Sequence, residues 1–344
     1  MRMPIPAVDS PSAHRNSDIS STFLDLSDAV TKEGTFYIRN GEFSDVYKGK
    51  LKNTIVVAIK VLRGAPAHSS ELHLRVKEAS IHSSLAKAGH TWVQLKHPNI
   101  LPFYGMATEF GYLPAMILPW CERGNILDYT MTQGARVDIL KLLTGVIRGL
   151  AYLHSMDITH GDLRAANVLV SDKGIPLLAD YGVTFVIDHG EFTTNKIAGP
   201  ARWTAPEILD PLDGDENEPP YSFRSDMFAF AMTVVEICER RQPYWKIKND
   251  SAVIFHIIQG KRPEIPRFLQ EHDALTELVQ KCWAKEPAER PTANEAQMLF
   301  EHALTIRSRR WRVRSISLSF ACFVGAGIAW LAYKWFNRDG HPVP

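Results

Sequence analysis

The chain has 344 residues, 45% of them hydrophobic and 22% charged, with a formal net charge of +1. That balance suits a globular body of one large or two smaller domains and gives no overall pull toward nucleic acid. The four cysteines (Cys121, Cys238, Cys282, Cys322) are scattered without CxxC spacing, which argues against a zinc ribbon or a disulfide framework and for reduced thiols.

Residues 1–22 are rich in Pro, Ser and Asp, poor in large apolar side chains, and lack the apolar stretch of a signal peptide; a disordered leader is expected. From Phe36 the texture turns to strands. "TFYIRNGEFSDVYKGKL" and "NTIVVAIKVLR" are short β-branched or aromatic runs with a polar turn between them. A helix is expected over about 69–87, followed by strand-like runs at "ILPFYGMATEF" and "YLPAMILPW". Beyond "CERGN" the pattern becomes helical. Ile139, Leu142, Leu143, Val146, Ile147, Leu150 and Leu153 recur at 3–4 spacing, giving an amphipathic helix with a broad apolar face. "SDMFAFAMTVVEICER" is apolar nearly all round, as a helix in the middle of a domain would be. Strands first and helices second point to a small β-rich lobe and a larger helical one, an α+β chain.

The last segment differs. Ile316–Phe336 carries no charge until Lys334, and as a helix its 21 residues span about 31 Å, the thickness of a bilayer's hydrocarbon core. Trp311, Trp330, Tyr333 and Trp335 stand where interfacial aromatics would, and Arg307, Arg309, Arg310, Arg312 and Arg314 precede the segment. The expectation is a single-pass, tail-anchored membrane protein with its N-terminal bulk in the cytosol; endoplasmic reticulum and outer mitochondrial membrane are equally open.

Asp162, Asn167 and Asp180 are polar, two of them sit beside apolar runs ("VLV" and "IPLLADYG"), and a core has no use for unpaired carboxylates. They fall in an ordered series: "NGEFSDV" (40–46), "VAIK" (57–60), "HGDLRAAN" (160–167), "DYG" (180–182) and "APE" (205–207). This series resembles the protein kinase superfamily, in particular its tyrosine-kinase-like members, over roughly Phe36 to Ile306. No G-x-x-x-x-G-K-[ST] occurs, which sets aside a P-loop ATPase. The resemblance implies a bilobal kinase fold over 23–306, with an N-lobe to about 118, a hinge at 119–121 and a C-lobe over 122–306. A basic juxtamembrane linker (307–315), the transmembrane helix (316–336) and a short tail (337–344) complete the expected organisation.

By that resemblance, Asp162 receives or orients the proton of a protein hydroxyl, and Asn167 and Asp180 bind Mg²⁺. Lys60 contacts the α- and β-phosphates of ATP, and its ion-pair partner on the first helix is Glu78, with Glu71 in reserve. Arg164 contacts the transferring phosphate or the substrate hydroxyl. Leu118 takes the gatekeeper position, Pro119 and Cys121 offer hinge backbone groups to adenine, and Val46, Ala58 and Leu169 enclose the ring. Glu207 should pair with Arg290, and Asp226 should anchor the catalytic loop. Protein substrate, ATP and a lipid bilayer are the implied partners, and nucleic acid is not among them.

Departures from the pattern carry their own expectations. Only Gly41 remains of three loop glycines, with Arg39 and Ser44 in the other two places, so nucleotide affinity should be reduced. Gly161 replaces the Arg of H-R-D, which removes the usual contact with a loop phosphate, although Thr193 and Thr194 are candidate phosphosites. "KAGHTWVQLK" is extra sequence, an extension of the first helix or of its loop. "DLRAAN" and Pro200 are similar to tyrosine kinases, while "GNILDY" fits the tyrosine-kinase-like group, so a Ser/Thr or dual-specificity enzyme is expected over a strict tyrosine kinase. The acidic stretch 210–220 could attract basic substrates. The alternative is a membrane-anchored pseudokinase that binds nucleotide as a scaffold.

Overall fold

The computed structural model describes residues 24–40, 44–63, 71–111, 113–183, 201–210 and 221–336; the side chains of Asn40, of 71–80 and of most residues from 309 onward lie outside that set. The leader, Gly41, Thr193, Thr194, Pro200 and residues 211–220 also fall outside the described residues.

The alternating run at 55–62 explains how the first lobe is built. Strand β4 (Ile55–Leu62) buries Val57, Ile59 and Val61, so pleating turns Ala58 and Lys60 to the other face. It pairs antiparallel with β3 (Ser44–Leu51) and with β6 (Ala115–Pro119). Strands β1 (Val30–Lys32) and β5 (Gly105–Ala107) complete the order β1-β3-β4-β6-β5, and the short β2 (Arg39–Asn40) also pairs with β3. Two expectations need correction here. The first strand lies before Phe36, and Phe36–Ile38 are exposed non-strand residues. The first helix, α1 (Glu71–Gln94), runs seven residues past the expected end, so most of "KAGHTWVQLK" extends the helix.

The second lobe contains α2 (Ile126–Gln133), α3 (Ile139–Ser155), the hairpin β7 (Val168–Val170) and β8 (Pro176–Leu178), α4 (Pro206–Leu209), α5 (Phe223–Glu239), α6 (Asp250–Ile258), α7 (Arg267–Gln270), α8 (Asp273–Cys282) and α9 (Ala293–Phe336). Asp138 caps α3, accepting from Lys141 N–H at 3.1 Å, and the helix buries Leu142, Leu143, Val146, Ile147, Leu150 and Leu153 as its periodicity predicts. Helix α5 is buried from Ser225 to Ile237 and starts with a reciprocal Ser222–Ser225 capping box. Each fully buried Leu, Ile or Phe contributes about 1.5–3 kcal/mol. Packing, more than helix propensity, therefore fixes the loop that crosses between α3 and α5.

Arg290 ties the lower lobe together. Its side chain is fully buried and makes two 2.7 Å bonds to the Glu207 carboxylate, the expected partner. Residues 307–315, read from sequence as a linker, continue α9 without a break. Among the described residues no helix is long and apolar enough to cross a membrane.

Candidate active site

The catalytic loop is held from below by one stripe of α5. Asp226, 1% exposed, accepts from the backbone N–H groups of His160 (2.7 Å) and Gly161 (2.9 Å) and meets His154 Nε2 at 2.8 Å. Thr233 Oγ1 lies 3.1 Å from the carbonyl of Leu163. Glu236 Oε2 accepts from Ala165 N–H at 2.8 Å. Helical spacing puts these three side chains along one side, where they meet residues 160–165 in turn. Gly161 adopts φ +78°, a region that L side chains enter only at a cost. Glycine in place of the motif's Arg therefore relaxes the loop as well as removing a cation.

Two backbone bonds bring the "DYG" segment alongside that loop: Ala179 N–H donates to Asn167 O at 2.9 Å and Gly182 N–H to His160 O at 3.0 Å. Asp180 lies between them with φ +62°, a conformation Asp tolerates better than most residues. Asn167, 7% exposed, donates from Nδ2 to the Asp162 carbonyl (2.8 Å) and to Asp162 Oδ2 (2.7 Å). Arg164 Nε stands 3.3 Å from Asp162 Oδ1. From the opposite lobe, Lys60 Nζ reaches Asp180 Oδ1 at 2.5 Å. Asp162, Asn167, Asp180 and Lys60, separated by up to 120 residues in sequence, thus meet at the junction of the lobes.

The donor set suits Mg²⁺. Asn167 commits its amide nitrogen to Asp162, which leaves its carbonyl oxygen, and Asp180 supplies a carboxylate. Hard oxygen donors, few in number and supplemented by phosphate and water, are what Mg²⁺ takes. His160 is fully enclosed, and burial lowers its pKa below the ordinary imidazole value, so it serves as neutral scaffold.

The remaining expected positions divide. Val46, Ala58, Leu118 and Leu169 are half-buried walls; Ala58 is the cross-strand partner of Leu118 and of Lys48, and Leu169 bridges to Asn125. Pro119 ends β6, paired with Val57. The Cys121 carbonyl accepts from Gly124 N–H at 3.1 Å and keeps a second lone pair free. Burial pushes the Cys121 thiol up to about 11, so the side chain stays a neutral thiol at ordinary pH.

The Glu78 and Glu71 side chains lie outside the described residues. Among the described side chains of α1, one in its extension meets the site. Trp92 packs edge-on against Tyr181 (6.1 Å, 90°) and Phe103 (5.5 Å, 71°). Glu78 precedes Trp92 by fourteen residues, about 21 Å along a helix. Among the described residues, the carboxylate that Lys60 meets is that of Asp180.

Sequence reasoning passed over Glu236. Its Oε2 accepts from Trp203 Nε1 at 2.9 Å as well as from Ala165, linking the catalytic loop to the segment before "APE". Burial pushes its carboxyl up to about 7. A lone carboxylate inside the apolar run "FAFAMTVVEIC" was the available signal, since such a group requires partners.

The family model described as protein tyrosine and serine/threonine kinase matches residues 35–300. Serine/threonine-protein kinase STY17 of Arabidopsis thaliana is 29% identical over 258 residues, covering 74% of this chain and 41% of that protein. Serine/threonine-protein kinase Tao of Drosophila melanogaster is 28% identical over 275 residues, covering 79% and 24%, and the human TAO2 kinase is 26% identical over 275 residues, covering 79% and 20%. The chain thus spans less than half the length of each of these relatives. With the catalytic loop, the "DYG" segment and the Glu207–Arg290 tie in the arrangement described, the chain belongs to the protein tyrosine and serine/threonine kinase family.

Proposed function

We propose that this chain is an ATP-dependent protein kinase that phosphorylates serine or threonine hydroxyls, and that residues 316–336 hold it on a membrane. The observation that carries the catalytic reading is the meeting of Asp162, Asn167 and Asp180 opposite Lys60. Asp162, fixed by Asn167, orients the acceptor hydroxyl and takes its proton as its oxygen bonds the γ-phosphorus, the bond from that phosphorus to the β–γ bridging oxygen breaks, and ADP leaves. Lys60 exchanges Asp180 for the phosphates of bound ATP, and Arg164 balances charge beside the attacked group. Mg²⁺ bound by Asn167 and Asp180 would neutralise the negative charge of the phosphates. The serine/threonine kinases among the relatives support the choice of acceptor.

The membrane reading is supported by the 21-residue stretch with one charge and by an unbroken helix through it. The catalytic test uses the full chain in detergent with Mg²⁺, labelled ATP and generic protein substrates. Label should appear on serine and threonine, and Asp162→Asn should lower incorporation at least about 100-fold, the lower range for loss of a general base. Equal incorporation by both proteins would overturn the reading.

A further inference from the structure

One face of the first-lobe sheet looks onto the cleft, and it carries three cations, Arg39, Lys48 and Lys60. Register pairs Arg39 with Val46, Val46 with Lys60 and Lys48 with Ala58. Strand alternation puts Val46 and Lys48 on the same side, so all five share that face. Each of the three cations meets a carboxylate on the other side of the cleft. Lys60 pairs with Asp180 at 2.5 Å, Lys48 with Glu122 at 2.7 Å, and Arg39 Nη2 with Asp128 Oδ2 at 3.0 Å.

The first pair belongs to the catalytic centre. The other two stand at the outer edge of the cleft, where Glu122 follows the hinge and Asp128 lies in the first turn of α2. Lys48 Nζ also sits 5.0 Å from the Trp120 ring centroid. Arg39 occupies a place where the kinase pattern has glycine, and glycine could not span the gap. On the facing side, a Cβ added at Gly124 would lie 2.8 Å from Arg39 Nη2 and 3.3 Å from Asp128 Oδ2. The cleft has an arginine on its roof where a glycine is expected, and a glycine on its floor that leaves room for it.

We propose that Arg39–Asp128 and Lys48–Glu122 form an ion-pair gate across the mouth of the nucleotide cleft, slowing nucleotide entry and release. The inference rests on the kinase reading above. An adenine ring held between Val46, Ala58 and Leu169, the walls that the resemblance implies, would lie on the inner side of both pairs, and its departure would require them to part. Once nucleotide phosphates engage Lys60, the outer pairs remain to hold roof to floor. Exposed pairs are individually modest, so each should change the release rate up to about five-fold. Their effect should vanish at about 1 M salt, where the screening length falls to about 3 Å.

The test is stopped-flow release of an N-methylanthraniloyl-labelled ADP from the full chain with Mg²⁺, at low and high salt. Arg39→Ala and Asp128→Asn should each speed release about two- to five-fold at low salt. The exchanged pair, Arg39→Asp with Asp128→Arg, should return to within about two-fold of wild type. Release at the wild-type rate by the single variants, or an exchanged pair as fast as they are, would overturn the gate alone. A wild-type chain that binds no labelled nucleotide would overturn the kinase reading and the gate together.

Discussion

Glu236 is the residue whose chemistry departs furthest from its position in the sequence. Its carboxyl sits among Ala165, Trp203, Arg164 and Asp162, and burial raises its pKa from 4.5 to about 7 against the pull of the two donors and of Arg164. Between those values the folded chain keeps a proton that the unfolded chain has released. Stability from this group is therefore full below pH 4.5, falls as pH rises, and levels off above about 7. At about 1.4 kcal/mol per pH unit, the loss across that window is on the order of 3 kcal/mol. Glu236→Gln keeps an oxygen acceptor for both N–H groups and cannot ionise. Chemical denaturation should show it as stable as wild type near pH 4.5 and more stable at pH 8, and parallel pH profiles would rule this out. Glu236→Ala should instead be destabilised at both, since two buried donors lose their acceptor at about 1–3 kcal/mol each.

Among the elements, α1 shows both what the sequence disclosed and what it concealed. Its extension places Trp92, 5% exposed, against Tyr181, the residue after Asp180. Trp92→Ala should cost about 3–5 kcal/mol as a large-to-small core change, and should weaken Mg²⁺-ATP binding by loosening Asp180; Trp92→Phe should retain most of both. Urea denaturation and nucleotide titration measure the two effects, and a destabilised variant with unchanged nucleotide affinity would separate Trp92 from the site. The existence of α3 was legible because its hydrophobic periodicity over 17 residues leaves little choice, and that of α5 because its 17 residues are apolar nearly all round. So were Asp162, Asn167 and Asp180, whose motifs fix local geometry, and the Glu207–Arg290 tie. Strand β1 was not legible, being only three residues long with its register set by Leu51 and Lys50 across the sheet. The length of α1 was ambiguous because "KAGHTWVQLK" contains a glycine, which weakens a helix locally and is outweighed here by buried Leu85 and Trp92. The three roof-to-floor ion pairs depend on how the lobes face each other, which no local pattern encodes.

At the scale of the whole molecule, α9 is at once part of the kinase body and the route out of it. Phe300 packs edge-on against Phe230 of α5 (5.8 Å), and two ion pairs fasten the helix to α3: Glu301 with Arg148 at 2.9 Å and Arg307 with Asp138 at 2.5 Å. Because Asp138 precedes Arg148 while Arg307 follows Glu301, the helices run antiparallel. Helix α9 therefore leaves the lobe beyond the start of α3, whereas the catalytic loop follows the end of α3. About 25 Å of α3 and about 14 Å of α9 from Arg307 to Ile316 separate that loop from the first residue of the apolar stretch. On the membrane reading proposed above, the continuity of α9 from Ala293 to Phe336 would favour acceptor hydroxyls presented well clear of the bilayer surface, on membrane-bound partners whose effective concentration a tether would raise. The tether itself is tested by alkaline carbonate extraction of membranes from expressing cells. The full chain should stay with the membrane pellet, and a chain ending at residue 314, which retains Phe300, Glu301 and Arg307, should be released as a folded protein. The basic run 307–314 alone would bind lipid headgroups electrostatically and yield to about 1 M salt at neutral pH. A full chain washed off under either condition would leave residues 316–336 without a spanning role.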